Sequence, residues 1–206
     1  MTGTRRAASR EQTRAHILAA ACRLFESDGY EAATLRAVAR EAAVGLGTVC
    51  LHFPTKEALL IAAFQDELGA ALAQAIGALP EGGLVERFLH LARALYAFYA
   101  ARPALSRELV RAALFLDDAT LTGQVADFLA LLAGLADDAV RRGELRADVD
   151  TGEVAWALWS DYLAVLIAGV REPSPDPEAM GLILARLLAL RVGGIGAVKP
   201  VSLRAS

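Results

Sequence analysis

The sequence predicts an all-α protein of nine helices in two domains, the first built around a helix-turn-helix. Three observations carry this expectation. No segment alternates apolar and polar residues long enough to form a strand, whereas apolar residues recur at helical spacing throughout. Helix-opening and helix-closing residues punctuate the chain at regular intervals. One stretch, AREAAVGLGTVCLHFPTKEALL at residues 39–60, interrupts the surrounding Ala, Leu, Arg and Glu with two glycines, β-branched residues and a Phe-Pro pair.

Taken in order, a first helix is expected from Ser9, which makes a capping-box pair with Gln12, to Gly29, suited to a left-handed helix end. Ile17, Leu18, Ala21, Leu24 and Phe25 form its apolar stripe. Thr34 is a good N-cap for a short second helix that turns Leu35, Val38, Ala39 and Ala42 inward. A tight turn leads to a third helix, about Leu46 to Phe53, and two short helices joined in this way have the dimensions of a helix-turn-helix. Thr55 caps a fourth helix from Lys56 to about Leu79, roughly 36 Å long at 1.5 Å per residue, with Ile61, Phe64, Leu68, Leu72 and Ile76 on one face.

Pro80-Glu81-Gly82-Gly83 makes a joint. Helices are then expected from Leu84 to Ala101, from Pro103 to Phe115, and from Ala119 to Arg142, where Arg141, Arg142 and Gly143 suit a C-terminus. Asp150 with Glu153 opens an eighth helix to about Val170, and Asp176-Pro177 opens a ninth that stops at Gly193-Gly194. The expected organisation is a helix-turn-helix domain at 9–55, a connecting helix at 56–79 and a helical domain at 84–195, with tails at 1–8 and 196–206.

Composition narrows the function. The 206 residues are 55% hydrophobic, an excess that needs a cavity, a partner or a membrane. The longest uncharged runs, 42–55 and 68–80, fall short of the roughly 18 residues a spanning helix requires. Arg5, Arg6, Arg10, Arg14 and Arg23 interrupt the N-terminus before any signal-peptide core develops, so a cytoplasmic location without a membrane partner is expected. Cys22 and Cys50 are too few for a disulfide framework or a zinc site. With three His, no metal-ligand spacing and no nucleophile beside a base, no catalytic residue, metal or cofactor is assigned and the chain is not expected to be an enzyme. Charge is uneven: residues 1–56 hold eight Lys/Arg against five Asp/Glu, while the whole chain is −3. A basic head on an acidic body points to a polyanion met by the head alone.

Gly45 and Gly47 leave the start of the third helix without bulk, the end by which such a helix enters the major groove. A nucleotide-binding loop is a poor rival, because no strand precedes the glycines and no Gly-Lys-Ser/Thr follows. The run from Thr13 to Leu60, which contains A-A-x-x-L-F-x-x-x-G-Y-x-x-x-T-L-x-x-V-A-x-x-A-x-V-G-x-G-T-V-x-x-H-F-x-x-K-E, resembles the DNA-binding domain of the TetR/AcrR family of transcriptional regulators. The resemblance implies a homodimer, a C-terminal helical ligand-binding and dimerisation domain, and a repressor of a palindromic double-stranded operator. A small apolar or amphipathic effector would release it. Two positions depart from the family: Ala43 stands where a turn glycine is usual, and Cys50 and Leu51 replace two tyrosines. These departures keep open an alternative, a helical small-molecule-binding protein whose DNA-binding domain is weakened or vestigial.

The residues expected at DNA are Thr34 and Arg36 at the start of the second helix, Gly45, Leu46, Gly47, Thr48 and His52 on the third, and Lys56. Lys56 opposes the macrodipole of the helix it begins, a cost of about 0.3–1 kcal/mol that phosphate binding explains. Arg5 and Arg6 resemble basic arms that enter a minor groove. Polar residues set into the later apolar helices are the ligand candidates: His90, Arg93 and Tyr96 on the fifth, Arg111 on the sixth, Gln124 and Asp127 on the seventh, Tyr162 on the eighth. Ala157, Asp161, Ala164 and Ala168 share a small-residue face, and the ninth helix, with Met180, Ile183 and Leu187, is apolar nearly all round. One chain cannot cover both helices, so a four-helix dimer interface is expected.

Overall fold

The computed structural model describes residues 2–115 and 119–195. Among the described residues are nine helices and no strand: α1 Thr2–Ser27, α2 Leu35–Glu41, α3 Leu46–His52, α4 Lys56–Gly77, α5 Leu84–Ala100, α6 Pro103–Phe115, α7 Ala119–Arg141, α8 Thr151–Val170 and α9 Pro177–Ile195. The helices pack as two compact units. One holds α1, α2, α3, the first part of α4 to Ala71, and α6; the other holds the end of α4 from Leu72, then α5, α7, α8 and α9. The sequence groups α6 with the helices that follow it, whereas the packing groups it with those before. Helical periodicity says that a face is buried, not by what.

Most helix ends lie where their capping residues put them. Gly29 and Gly143 adopt the left-handed conformation, with φ of +81° and +72°, just past α1 and α7. Asp150 Oδ1 accepts from the backbone N–H groups of Gly152 and Glu153, and Asp176 Oδ1 from those of Glu178 and Ala179. The start of α1 differs. It begins at Thr2 rather than Ser9, and Ser9 lies inside the helix, its carbonyl accepting from Thr13 Oγ1 at 2.9 Å. Arg and Ala are strong helix formers, so nothing in residues 5–8 stops the helix. Likewise α9 runs through Gly193 and Gly194 to Ile195, since each glycine weakens a helix by about 1 kcal/mol without forbidding it.

The first unit buries Ile17, Ala21 and Phe25 of α1 against Val38 and Ala39 of α2, Val49 of α3, and Leu59, Leu60 and Phe64 of α4. From α6 it takes Leu105, Leu109, Val110 and Ala112. Arg102, just before α6, donates to Glu26 at 2.9 Å and to Glu67, while its guanidinium stands 4.8 Å from the centre of the Phe64 ring. In the second unit α8 lies against α7 and α9, and α5 against α9. Gly169 permits the α8–α9 approach: a Cβ there would come within 2.5 Å of the Met180 Sδ and Cε atoms. Arg87 of α5 donates to Asp138 of α7 at 2.6 Å. By length and mean hydropathy α4 and α8 could each cross a membrane, a property that the length of uncharged runs does not reveal. Both contribute buried side chains to the units, and α8 carries the buried, ion-paired Asp161.

Candidate functional site

The turn between α2 and α3 is built residue by residue. Thr34 Oγ1 accepts from the Ala37 N–H at 3.1 Å and opens α2. At the other end the Val44 N–H donates to the Ala39 carbonyl at 2.9 Å and the Ala43 N–H to that of Arg40 at 3.2 Å. This is the paired-bond pattern of a Schellman motif, and it requires a left-handed residue at position 43. Ala43 supplies it with φ of 54°, the one described non-glycine residue at positive φ. An L-side chain there costs roughly 1–2 kcal/mol.

Val38 of α2 and Val49 of α3 are both buried with essentially no exposure, and the two helices lie against each other. The opposite side of α3 faces outward. Leu46 and Cys50 are exposed and Leu51 is 73% exposed, with Thr48 and His52 half-buried one turn apart. Gly45 is the N-cap of α3, a place where glycine is acceptable. Gly47 lies inside the helix at ordinary φ, and a Cβ on it would meet nothing within 4 Å. The fold does not need that glycine, although it weakens the helix by about 1 kcal/mol relative to Ala.

Lys56 is held rather than free. Its Nζ donates to the Glu31 carbonyl at 3.2 Å and stands 4.1 Å from the centre of the Tyr30 ring. Tyr30 in turn donates to Glu57 Oε1 at 3.4 Å, and Thr55 Oγ1 accepts from the Ala58 N–H at 3.0 Å. Burial, and then the Glu57 charge, push the Tyr30 phenol up to about 12. The Glu57 carboxyl is held below its usual value, chiefly by a backbone hydrogen bond and then by those from Thr55 and Tyr30. These contacts offset the misplaced charge of Lys56, a compensation invisible in the sequence because residues 30 and 56 are distant in it. Arg36 is exposed in the first turn of α2. The side chains of Arg5 and Arg6 lie outside the described residues.

In the second unit the ligand candidates separate. Tyr96 and Tyr162 are buried and stacked, with ring centres 5.2 Å apart and 10° between planes, and the Tyr96 hydroxyl donates to the Tyr162 carbonyl at 3.1 Å. His90 is tied to the Ala75 carbonyl at 3.0 Å. Arg93 is exposed, 4.0 Å from Glu178, and borders a groove of about 420 Å³ lined by Leu84, Val85, Leu89 and Leu145. Gln124 is half-buried and Asp127 exposed on α7. Arg111 is not brought together with them: it belongs to the first unit, exposed and paired with Glu108. Sequence reasoning missed Tyr99, Phe128 and Trp159. Phe128 and Trp159 pack against Tyr162 at 6.2 and 5.6 Å, and burial pushes the Tyr99 phenol up to about 12. Burial also raises the Tyr96 and Tyr162 phenols, with the Asp161 charge adding to the first. The signal is present in the i, i+3 pairs 96/99 and 159/162.

Of the expected interface residues, Ala164, Ala168 and Ile183 are exposed, and Ala157 and Leu187 half-buried. Asp161 and Met180 turn inward. Asp161 accepts two hydrogen bonds from Arg191 of α9, and Met180 fills the space over Gly169. The exposed face has larger members than the sequence singles out: Trp156 at 58%, Leu182 at 57% and Leu190 at 79%.

Comparison with known proteins agrees with this geometry. Residues 17–63 match the sequence profile of the bacterial regulatory proteins, tetR family. The HTH-type transcriptional repressor KstR of Mycolicibacterium smegmatis is 32% identical over 141 residues, 68% of this chain and 69% of that protein. Thermus thermophilus FadR, a TetR-family transcriptional repressor solved in complex with lauroyl-CoA, superposes with a TM-score of 0.66 at 23% identity over 94% of this chain and 100% of that one. FadR of Bacillus subtilis, in complex with stearoyl-CoA, gives 0.62 at 19% identity over 87% and 98%. The chain belongs to the TetR family of bacterial regulatory proteins.

Proposed function

We propose that this protein is a cytoplasmic, ligand-responsive transcriptional repressor that binds a palindromic duplex operator as a homodimer and is released by an apolar or amphipathic small molecule. The observation that carries the DNA half of this reading is the outer face of α3. It combines exposed side chains with a glycine, Gly47, that the fold itself does not require, as expected where a backbone must approach another molecule closely. Thr34, Arg36 and Lys56 supply donors around it for phosphates, and Leu46, Thr48 and His52 face the bases.

Dimerisation is supported by the apolar face of α8 and α9, where Trp156, Leu182, Ile183 and Leu190 are exposed together with Ala164 and Ala168. Water-exposed apolar side chains of this size on adjoining helices call for a partner surface. The effector reading draws on the acyl-CoA complexes of the two FadR proteins and on the aromatic cluster of Tyr96, Tyr99, Phe128, Trp159 and Tyr162. A ligand releases DNA only by its differential affinity for two conformations.

The test is a mobility shift with duplex DNA from upstream of the protein's own coding sequence, at low and moderate salt, with and without lauroyl-CoA. Binding that lauroyl-CoA weakens supports the whole reading. Binding that neither lauroyl-CoA nor other amphiphiles weaken removes the effector half, and absence of binding at both salts favours the vestigial alternative.

A further inference from the structure

We propose that the groove beside the start of α5 is a small-molecule site in its own right, separate from the aromatic cluster. It takes a medium-chain amphiphile with a single carboxylate, its head on Arg93 and its tail over Leu89, Val85 and Leu84. The groove encloses about 420 Å³, a size within the range of small-ligand sites, and none of the five aromatic residues of the cluster lines it. Leu84 of α5 and Leu145, in the loop after α7, are each 2% exposed and form its floor, with Val85 and Leu89 half-buried beside them.

Three charged side chains border the groove, and two of them are already accommodated by the chain. Glu144 Oε2 accepts from the Leu84 N–H at 2.8 Å, and its Oε1 lies 3.1 Å from the Arg142 guanidinium. Glu86 folds back over Gly82 at the N-terminal end of α5, where the helix dipole favours a carboxylate. Arg93 is different. Among the described residues its carboxylate neighbour is Glu178, 4.0 Å away, 78% exposed and beyond hydrogen-bond reach. Yet α9 makes room for this arginine: Gly181 lies inside α9, and a Cβ there would stand 2.8 Å from Arg93 Nε and 3.1 Å from its Cγ. A glycine inside a helix weakens it relative to alanine. Here the weakness accommodates a guanidinium that finds no hydrogen-bond acceptor among the described residues.

An apolar trough with an unsatisfied guanidinium at one end is complementary to an amphipathic anion. Glu86 sets the direction. It lies about 10 Å before Arg93 along the helix axis, so an anionic group is attracted at one end of the groove and repelled at the other. From Arg93 back to Leu84 is about 13 Å, the length of an extended chain of roughly ten carbons. A second copy of the chain is the poorer occupant, because the exposed apolar side chains of α8 and α9, Trp156, Leu182, Ile183 and Leu190, do not border the groove.

The test is calorimetric titration of the full chain with sodium decanoate, with 1-decanol, which has the same tail and no charge, and with decanedioate. Decanoate is expected to bind about tenfold or more tighter than decanol, the worth of a charge-assisted hydrogen bond. Decanedioate should bind more weakly than decanoate, because its second carboxylate meets Glu86. Arg93→Gln should abolish the preference for decanoate over decanol, Arg93→Lys should restore part of it, and Leu89→Gln should weaken both ligands alike. Unchanged melting midpoints show that the variants fold, and the comparison of decanoate with decanedioate needs no variant. Failure of decanoate to bind, or binding to Arg93→Gln as tight as to the parent, overturns the proposal; in the second case the ligand lies elsewhere, the aromatic cluster included. Decanedioate that binds as tightly as decanoate overturns it as well. A change in sedimentation on Leu89→Gln, with decanoate binding unaltered, identifies a second copy as the occupant and also overturns it. Operator DNA plays no part in these titrations, so this site and the repressor reading can each fail without the other.

Discussion

The Lys56 ammonium stands 4.1 Å from the centre of the Tyr30 ring, a cation–π contact that holds it at the N-terminus of α4. An ammonium has three donors, and the bond to the Glu31 carbonyl uses one. A positioned lysine with donors in reserve suits a phosphate oxygen. Lys56→Ala is therefore expected to weaken operator and random DNA by similar factors and to flatten the salt slope by about 0.9 per subunit. Binding isotherms on both DNAs across a salt series check this, and selective loss of operator preference at constant slope would contradict it.

Thr48→Ala should behave in the opposite way. A hydroxyl on the outer face of α3 carries no charge, so the salt slope stays constant, while discrimination between operator and scrambled duplex falls, by less than the roughly 1–3 kcal/mol of a bidentate side chain–base pair. The same isotherms report both quantities.

Ala43→Gly should stabilise the protein. The left-handed φ of 54° penalises alanine by roughly 1–2 kcal/mol, and the extra freedom of an unfolded glycine returns about 0.4–1 of that. A net gain of about 0.5–1 kcal/mol in chemical denaturation, without loss of DNA affinity, is the expected outcome. A destabilised variant would mean that the turn relaxes around alanine.

Leu182→Glu combined with Ile183→Glu puts two carboxylates on the exposed face of α9. Sedimentation at low micromolar concentration is then expected to report a folded monomer for the double variant and a dimer for the unaltered chain. Tight operator binding should disappear with it, because two recognition helices must be presented about 34–36 Å apart. A double variant that remains dimeric would place the seam elsewhere.

The α5–α7 contact should carry a pH signature. Asp138 is held below the usual carboxylate range, first by the hydrogen bond from Arg87 and then by the charge of Arg142. Between its folded value and the unfolded value of about 3.9, the unfolded chain holds more protons, so stability rises with pH. That contribution is complete above about pH 5 and is lost as pH falls through the folded value. Denaturant midpoints measured from about pH 5 down to about pH 2 should fall less steeply in Asp138→Asn than in the parent.

Much of the fold was legible because helix ends are written locally. Thr34, Thr55, Asp150 and Asp176 cap where their sequence neighbours imply, and Gly29 and Gly143 close helices by a conformation that glycine adopts freely. Ser9 misled because serine serves equally as a cap and, when exposed, as an interior residue. What the sequence could not show is which partner each face meets. Asp161 shares a stripe of α8 with exposed alanines and Met180 belongs to the apolar α9, yet Arg191 and Gly169, each on the other helix, draw them inward. The same holds for Lys56, whose oddity was readable while its Tyr30 and Glu31 partners were not.

The place of α6 governs how the gene can be dissected. Deletion mapping with a stop codon after Ala71 would discard Arg102 and the apolar residues Leu105, Leu109 and Val110, leaving Glu26 and Glu67 without their cation and Phe64 uncovered. Such a truncation would fail as a DNA-binding fragment for want of part of its own core. A fragment that keeps this packing joins two separate coding segments, the chain up to 71 and 101–115, by a flexible linker in place of α5.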